Sequence, residues 1–364
     1  MSSDNFAFDI AIDRRSVMRD RIRGALVALV LAAGACAEDD DGQGSGSLGI
    51  SLDAEDTIID GIPAGEDVED ILDGWRVDFA RYIAAIGPIT ITRITDQDVE
   101  RVAPETYVVD LAALDAQGLP LWTLDDLSAS EWQLSFETPG AADAEPMRHD
   151  SVNEADFEAL VDDNATYLIE GTLSKNDGVS CPPESLAEPG DASAIGMNNG
   201  GDPCYENPSV SFTLLAAAET VYGPCEADGM EGFSVTEGGT TNVALTIHGD
   251  HVFFNGFPQG DEGGIMRLAQ WLADCDLDLD GEVTRAELER IAPSDLAELD
   301  HRYDLTIPFD ELDPVEDMWT YIRAQLKTQG HFQGEGECAV DGVEHSHEEE
   351  GHDEHDEEEH QDDA

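Results

Sequence analysis

From residue 50 to about 255 the chain is a succession of short segments rich in Val, Ile, Thr and aromatic residues, separated by clusters of Gly, Asp and Pro. No other feature constrains the fold as much. Segments of this length and composition suit strands, and the residues at the breaks supply turns. Residues 75–94, WRVDFARYIAAIGPITITRI, open with alternation at Trp75, Val77 and Phe79 and close with Ile89-Thr-Ile91-Thr. Tyr107-Val-Val-Asp-Leu, Trp132-Gln-Leu-Ser-Phe and residues 166–174, 210–215 and 243–248 read the same way. Many short strands with polar turns predict a β-sandwich over residues 50–255. Asp156 to Val161 reads as one or two helical turns within it.

After Phe257 the period changes. Met266, Leu268, Ala269, Trp271, Leu272 and Cys275 recur at three and four residues, the spacing of a helix. Asp313-Pro314-Val315-Glu316 reads as a helix start, with an N-cap Asp, Pro in the first turn and an acid after it. Val315, Met318, Trp319, Ile322 and Leu326 would be its apolar stripe and Gly330 its end. Residues 256–340 are therefore expected to form a small helical module. The predicted fold class is mixed β and α, and 364 residues suit about two domains.

Charge narrows the choice of partners. Asp and Glu number 82 and Lys and Arg 17, so the formal net charge is -65. That field repels phosphate backbones, which excludes nucleic acid as a partner class, and it disfavours anionic membrane surfaces. Divalent cations are the natural small partners. An acidic surface that keeps the protein soluble in a salty medium accounts for the same numbers.

The N-terminus carries Arg14, Arg15, Arg19, Arg21 and Arg23, followed by the apolar run GALVALVLAAGA from Gly24 to Ala35. A basic region, a short apolar stretch and small residues describe a secretory signal, too short to span a bilayer. Ala33-Gly34-Ala35-Cys36 resembles a bacterial lipobox, with Ala33 where Leu is usual. The resemblance implies a signal over residues 1–35, a lipidated Cys36 as first mature residue, and anchoring to the outer membrane. Translation can begin at Met1 or at Met18. Residues 36–49, acidic and then Gly/Ser-rich, read as a flexible tether. Residues 341–364 read as a disordered tail, with His345, His347, His352, His355 and His360 among acids. Such a tract can gather divalent ions loosely or act only as a solvated tail.

An exported chain permits disulfides. Cys181 and Cys204 flank a Pro-, Gly- and Asn-rich stretch, and a bond there would remove ~3 kcal/mol of unfolded-state entropy. Cys225 and Cys338 can pair between the middle and the end of the fold. Cys275 falls on the apolar face of the expected helix. Sequence alone leaves the connectivity open.

The strongest chemical signal is DLDLDGEVTRAE, residues 276–287, which resembles the calcium loop of the EF-hand family. Calcium takes 6–8 hard oxygens at ~2.4 Å. The resemblance assigns side-chain oxygens to Asp276, Asp278 and Asp280, a backbone carbonyl to Glu282, and a direct or water-mediated contact to Thr284. Glu287 would supply two oxygens, Gly281 the sharp bend and Val283 a short β contact. A second stretch keeps Asp300, Asp304, Ile307 and Glu311 but has Leu305 in place of the glycine and Arg302 in place of an acid. It reads as an ion-free partner loop or a plain loop.

A separate cluster is Thr246-Ile-His248-Gly-Asp250-His251, with His331 later in the chain. Imidazole with carboxylate suits Zn2+ or Cu2+. Equally, His248 and Asp250 can satisfy a turn while His331 caps a helix C-terminus. The segments around Tyr82 to Ile91 and Tyr107-Val-Val-Asp-Leu resemble the periplasmic copper-binding proteins that accompany methanobactin, though no metal ligand carries over. No nucleotide-binding glycine loop, HExxH, GxSxG or CxxC occurs, so the chain is expected not to be an enzyme.

Overall fold

Strands dominate the molecule, as the alternating pattern requires. The computed structural model describes residues 44–227, 229–257, 265–297, 299, 302–307 and 314–342. The signal segment, Cys36, Asp300, Glu311, Asp313 and the five tail histidines lie outside those residues. The principal strands are β1 (Ser45–Ala54), β2 (Arg76–Ile86), β3 (Ile89–Arg93), β4 (Asp96–Ala103), β5 (Tyr107–Asp110), β6 (Leu119–Ser128) and β7 (Glu131–Thr138). They continue with β8 (Tyr167–Ser174), β9 (Ser209–Ala216), β10 (Thr220–Ala227), β11 (Thr240–Ile247), β12 (Glu282–Val283), β13 (Gly330–Phe332) and β14 (Cys338–Val340). The helices used below are α1 (Glu154–Asp162), α2 (Gln270–Ala273), α3 (Arg285–Leu288) and α4 (Met318–Leu326).

Three sheets carry the fold. One has the order β13-β11-β1-β6, with β1 and β11 parallel and the other pairs antiparallel. The second runs β12-β9-β8-β2-β5, and Met147–Arg148 pairs beyond β5. The third runs β10-β7-β3-β4, and β14 pairs with β10. Alternation explains the burial. In β7, Trp132, Leu134 and Phe136 point inward while the residues between them are partly exposed. Each such fully buried large apolar side chain contributes about 1.5–3 kcal/mol. In the last part of β2 both faces are covered: Tyr82, Ala84 and Ile86 join the main core, and Ile83 and Ala85 pack with Leu160 of α1.

Several expectations need correction. Residues 45–49 are not tether. Their backbone pairs with both β11 and β6, and Leu48 is fully buried. The boundary drawn at 255/256 does not divide the core. Trp271, Leu288 and Ile322 belong to the same apolar cluster as Leu52 and Trp132, and β13 and β14 extend two of the sheets. The C-terminal helix begins at Met318 rather than near Pro314. Asp317 is its N-cap, with its carboxylate accepting from Thr320 N at 2.7 Å. Gly330 does not end that helix, which closes at Lys327. Gly330 lies in a strand, where an added Cβ would sit 2.7 Å from the Tyr222 ring. Asp341 also belongs to the fold and not the tail, since its N–H donates to Val221 O at 2.8 Å.

Both expected disulfides form. Cys181–Cys204 closes the long loop, and Cys225–Cys338 joins facing residues of β10 and β14. Cys275 is a buried free thiol.

Candidate metal centres

The acidic loop hangs between two single helical turns. The α2 turn begins where the Asp73 carboxylate accepts from Ala269 N at 2.8 Å and Gln270 N at 2.7 Å. The α3 turn begins at Thr284, whose hydroxyl and amide both donate to Glu287 Oε2 at 2.8 Å. Both helices are four residues long, far shorter than the pair of helices that the EF-hand resemblance implies.

Within the loop, Asp276, Asp278 and Glu287 bring carboxylate oxygens within 4.8 Å of one another. Asp280 is not in that cluster. Its Oδ1 accepts from Glu282 N at 2.9 Å, while Asp278 Oδ1 accepts from Asp280 N at 3.2 Å. Glu287 Oε1 accepts from Leu277 N at 2.9 Å. Asp276 is wholly buried. Its Oδ2 accepts from Gly281 N at 3.0 Å and from Asn207 Nδ2 at 2.8 Å, and its Oδ1 has no hydrogen-bond partner among the described residues. Burial pushes this carboxyl up to about 6, and the charges of Glu287 and Asp280 add to the rise. Gly281 sits at φ +86°, in the left-handed region that glycine adopts without strain.

Val283 makes its short β contact, with an unexpected partner. Residues Glu282 and Val283 pair in parallel with Ser211 and Phe212 of β9, and Ser211 N donates to Gly281 O at 2.8 Å. The loop is therefore docked on a sheet. The described part of the second acidic stretch lies elsewhere, where Asp304 N donates to Asn255 O at 2.9 Å.

The histidines form a second centre. His248 follows β11, His251 lies in the 3-10 turn Asp250–Phe253, and His331 stands opposite Thr246 on β13. One ring nitrogen from each lies within 4.8 Å of the others. The His248 and His331 rings stack at 3.9 Å, and His251 meets both edge-on at 5.5 and 5.2 Å. His248 and His251 are buried and His331 is half-buried. In the neutral imidazoles the hydrogen bonds select which nitrogen carries the proton. Thr328 Oγ1 donates to Gln325 O at 2.8 Å, so it accepts from His251 Nδ1, also at 2.8 Å, and the lone pair of His251 falls on Nε2. His248 Nε2 donates to Gly334 O at 3.2 Å, which leaves the lone pair on Nδ1, 3.8 Å from Glu55 Oε2.

Glu55, His248 and Asp250 form an overlapping cluster with oxygens and nitrogen within 4.8 Å. Burial, with the Asp250 charge, pushes the Glu55 carboxyl up to about 7. Asp250 is fully buried and its Oδ2 accepts from Arg267 Nε, whose guanidinium also covers the Phe254 ring at 4.9 Å. Asp250 Oδ1 has no hydrogen-bond partner among the described residues.

Glu55 was not visible in the sequence as a site residue. Its place follows from the parallel pairing of β1 with β11, which sets Ala54 opposite Ile247 and lets Glu55 N donate to Ile247 O at 3.1 Å. His331 reaches His248 because β13 pairs with β11, a relation that spacing alone does not carry. No helix among the described residues is long and apolar enough to cross a membrane. No protein-family model, curated protein or solved structure gives a significant match to this chain.

Proposed function

We propose that the chain is an exported protein that binds one calcium ion in the loop 276–287, where the ion fastens that loop to the neighbouring sheet. The observation that carries this reading is Asp276: a buried carboxylate whose Oδ1 lacks a hydrogen-bond partner among the described residues while the carboxylates of Asp278 and Glu287 converge on it. No basic side chain forms an ion pair with any of the three among the described residues. Three acids in a partly dry site repel one another, and a hard divalent cation relieves both the repulsion and the lost hydration. Asp280, turning from its present hydrogen bond with Glu282 N, and the Glu282 carbonyl complete the shell, and Thr284 contributes directly or through water. The single-turn flanks and the sheet docking suit a structural ion better than a conformational signal.

Export is supported by the N-terminal basic and apolar segments and by the two disulfides, which need an oxidising compartment. The lipobox-like Cys36 extends this to a lipid anchor at the bacterial outer membrane. In such a compartment a site of ~10⁻⁴ M stays filled in calcium-rich media.

The test is calorimetric titration of the full chain with calcium after EDTA treatment, beside Glu287→Gln. One site is expected, weakened at least tenfold by the substitution. At ten times the dissociation constant, binding should add about 1.4 kcal/mol to stability. A melting temperature that does not move in ~10 mM calcium, a hundredfold excess over such a site, refutes the proposal.

A further inference from the structure

We propose that His248, His251 and His331, completed by the Glu55 carboxylate, form a buried mononuclear centre for a borderline divalent transition-metal ion, zinc(II) or copper(II). The centre is separate from the calcium loop and independent of that reading.

Three observations support it. First, three imidazoles from a strand end, a 3-10 turn and the distant strand β13 converge, two of them buried and His331 half-buried, with one nitrogen from each within 4.8 Å of the others. Ligands ~2.0–2.1 Å from a tetrahedral zinc stand ~3.3 Å apart; because an imidazole lone pair lies in its ring plane, the His331 ring turns out of its stack on His248 to close on the ion. Second, the hydrogen bonds to Thr328 and Gly334 hold His251 and His248 as donors on one side and direct a lone pair from the other. This is the arrangement that outer hydrogen bonds impose on metal-ligating histidines. The His248 lone pair faces Glu55 Oε2 at 3.8 Å, too long for a hydrogen bond and fitting two ligands on either side of one ion. Third, Asp250 Oδ1 is fully buried without a hydrogen-bond partner among the described residues, in the same cluster as His248 and Glu55. Arg267 pairs with the other oxygen, yet a buried carboxylate oxygen left without a hydrogen bond is still costly, and a second cation beside it offsets that cost. Asp250 itself is held by Arg267, so it acts as an outer negative group and not as the fourth ligand.

Donor chemistry separates the two ions. Calcium and magnesium take oxygen shells, whereas an imidazole-rich set selects zinc or copper. The oxygens of residues 276–287 and the nitrogens of this centre should each fill without competition.

The experiment uses the full chain with His345, His347, His352, His355 and His360 changed to Asn, so that loose binding in the tail does not count. The protein is stripped with EDTA and given one equivalent of zinc sulfate or of copper(II) sulfate in millimolar calcium. It is then gel-filtered and its metals are measured. One retained zinc or one retained copper per chain is expected, and the copper form should show nitrogen hyperfine lines in its electron paramagnetic resonance spectrum. His248→Gln and His331→Gln should each lower affinity at least tenfold. Thr328→Val, which leaves all three rings in place, should lower it about tenfold through the lost orientation of His251. Circular dichroism melts identify any variant that fails to fold, and Thr328→Val and the half-buried His331 then decide the matter. No retained transition metal, or retention undiminished in His331→Gln and Thr328→Val, overturns the proposal. Calcium is counted in the same samples, so loss of the loop site is recorded separately.

Discussion

At the residue scale, both candidate centres turn on what burial does to a carboxylate. Asp276 and Asp250 each keep one oxygen without a hydrogen-bond partner among the described residues, but their settings differ. Asp250 has Arg267 against its other oxygen. Among the described residues Asp276 has only the neutral donors Gly281 N and Asn207 Nδ2, with Glu287 nearby. A charge held this way destabilises the empty loop and stabilises the filled one. Asp276→Asn therefore has opposite effects in the two states. In EDTA at pH 7 it should raise stability by about 1–2 kcal/mol, because desolvation and repulsion vanish while an amide oxygen still accepts. In millimolar calcium it should be less stable than the parent, having lost the ion. Urea unfolding under both conditions measures this, and parallel shifts of one sign in both would contradict a metal role for Asp276.

At the scale of elements, the sequence carried the alternation and missed the pairing. β7, β9 and β11 were legible because apolar residues alternate along them, and β8 because Tyr167, Leu168 and Ile169 open a short apolar segment closed by Thr172 and Leu173. β1 was not, since Ser and Gly fill its first half and only Leu48, Ile50 and Leu52 betray its inward face. A flexible tether and an edge of such a strand share a composition. What separates them is the partner, and parallel pairing with a strand almost two hundred residues away leaves no local mark. The same limit hid Glu55 while leaving the calcium-loop residues readable, because those sit within one short stretch. The helix start was misplaced because Asp313 and Asp317 both suit an N-cap. Thr320, which reciprocates the hydrogen bond of Asp317, decides between them. The cysteines were readable as pairs, and the 113-residue separation of Cys225 and Cys338 gives their bond a large effect. Replacing both by Ala should cost about 2–4 kcal/mol, since a long loop is freed in the unfolded chain. Because the bond joins β10 to β14, just past the strand carrying His331, the same change should loosen the histidine centre more than the calcium loop. Hydrogen exchange on the double variant would show this: equal loss of protection at His331 and at Val283 would mean that the bond acts only through the unfolded state.

At the scale of the whole molecule, a formal charge of -65 on 364 residues acts against the compact state through self-repulsion. Diffuse counterions relieve this over a Debye length of ~10 Å at 0.1 M salt. A bound calcium relieves it locally, at one loop. The two effects add but saturate differently. In EDTA the melting temperature should climb steadily as sodium chloride rises from ~10 to ~200 mM, a range in which the Debye length shortens from ~30 to ~7 Å. Calcium should add a further step that levels off once the loop is filled. Glu287→Gln should keep the salt slope and lose the step. The magnitude of the slope reports the cost of the acidic surface, and the step reports the site. If magnesium at equal ionic strength reproduced the whole calcium response, one ion would be as good as another at the loop. The acidity would then be acting only as a diffuse field, and the geometry of residues 276–287 would have no part in it. A calcium step that survives in ~200 mM salt, where surface charges are well screened, separates the two readings.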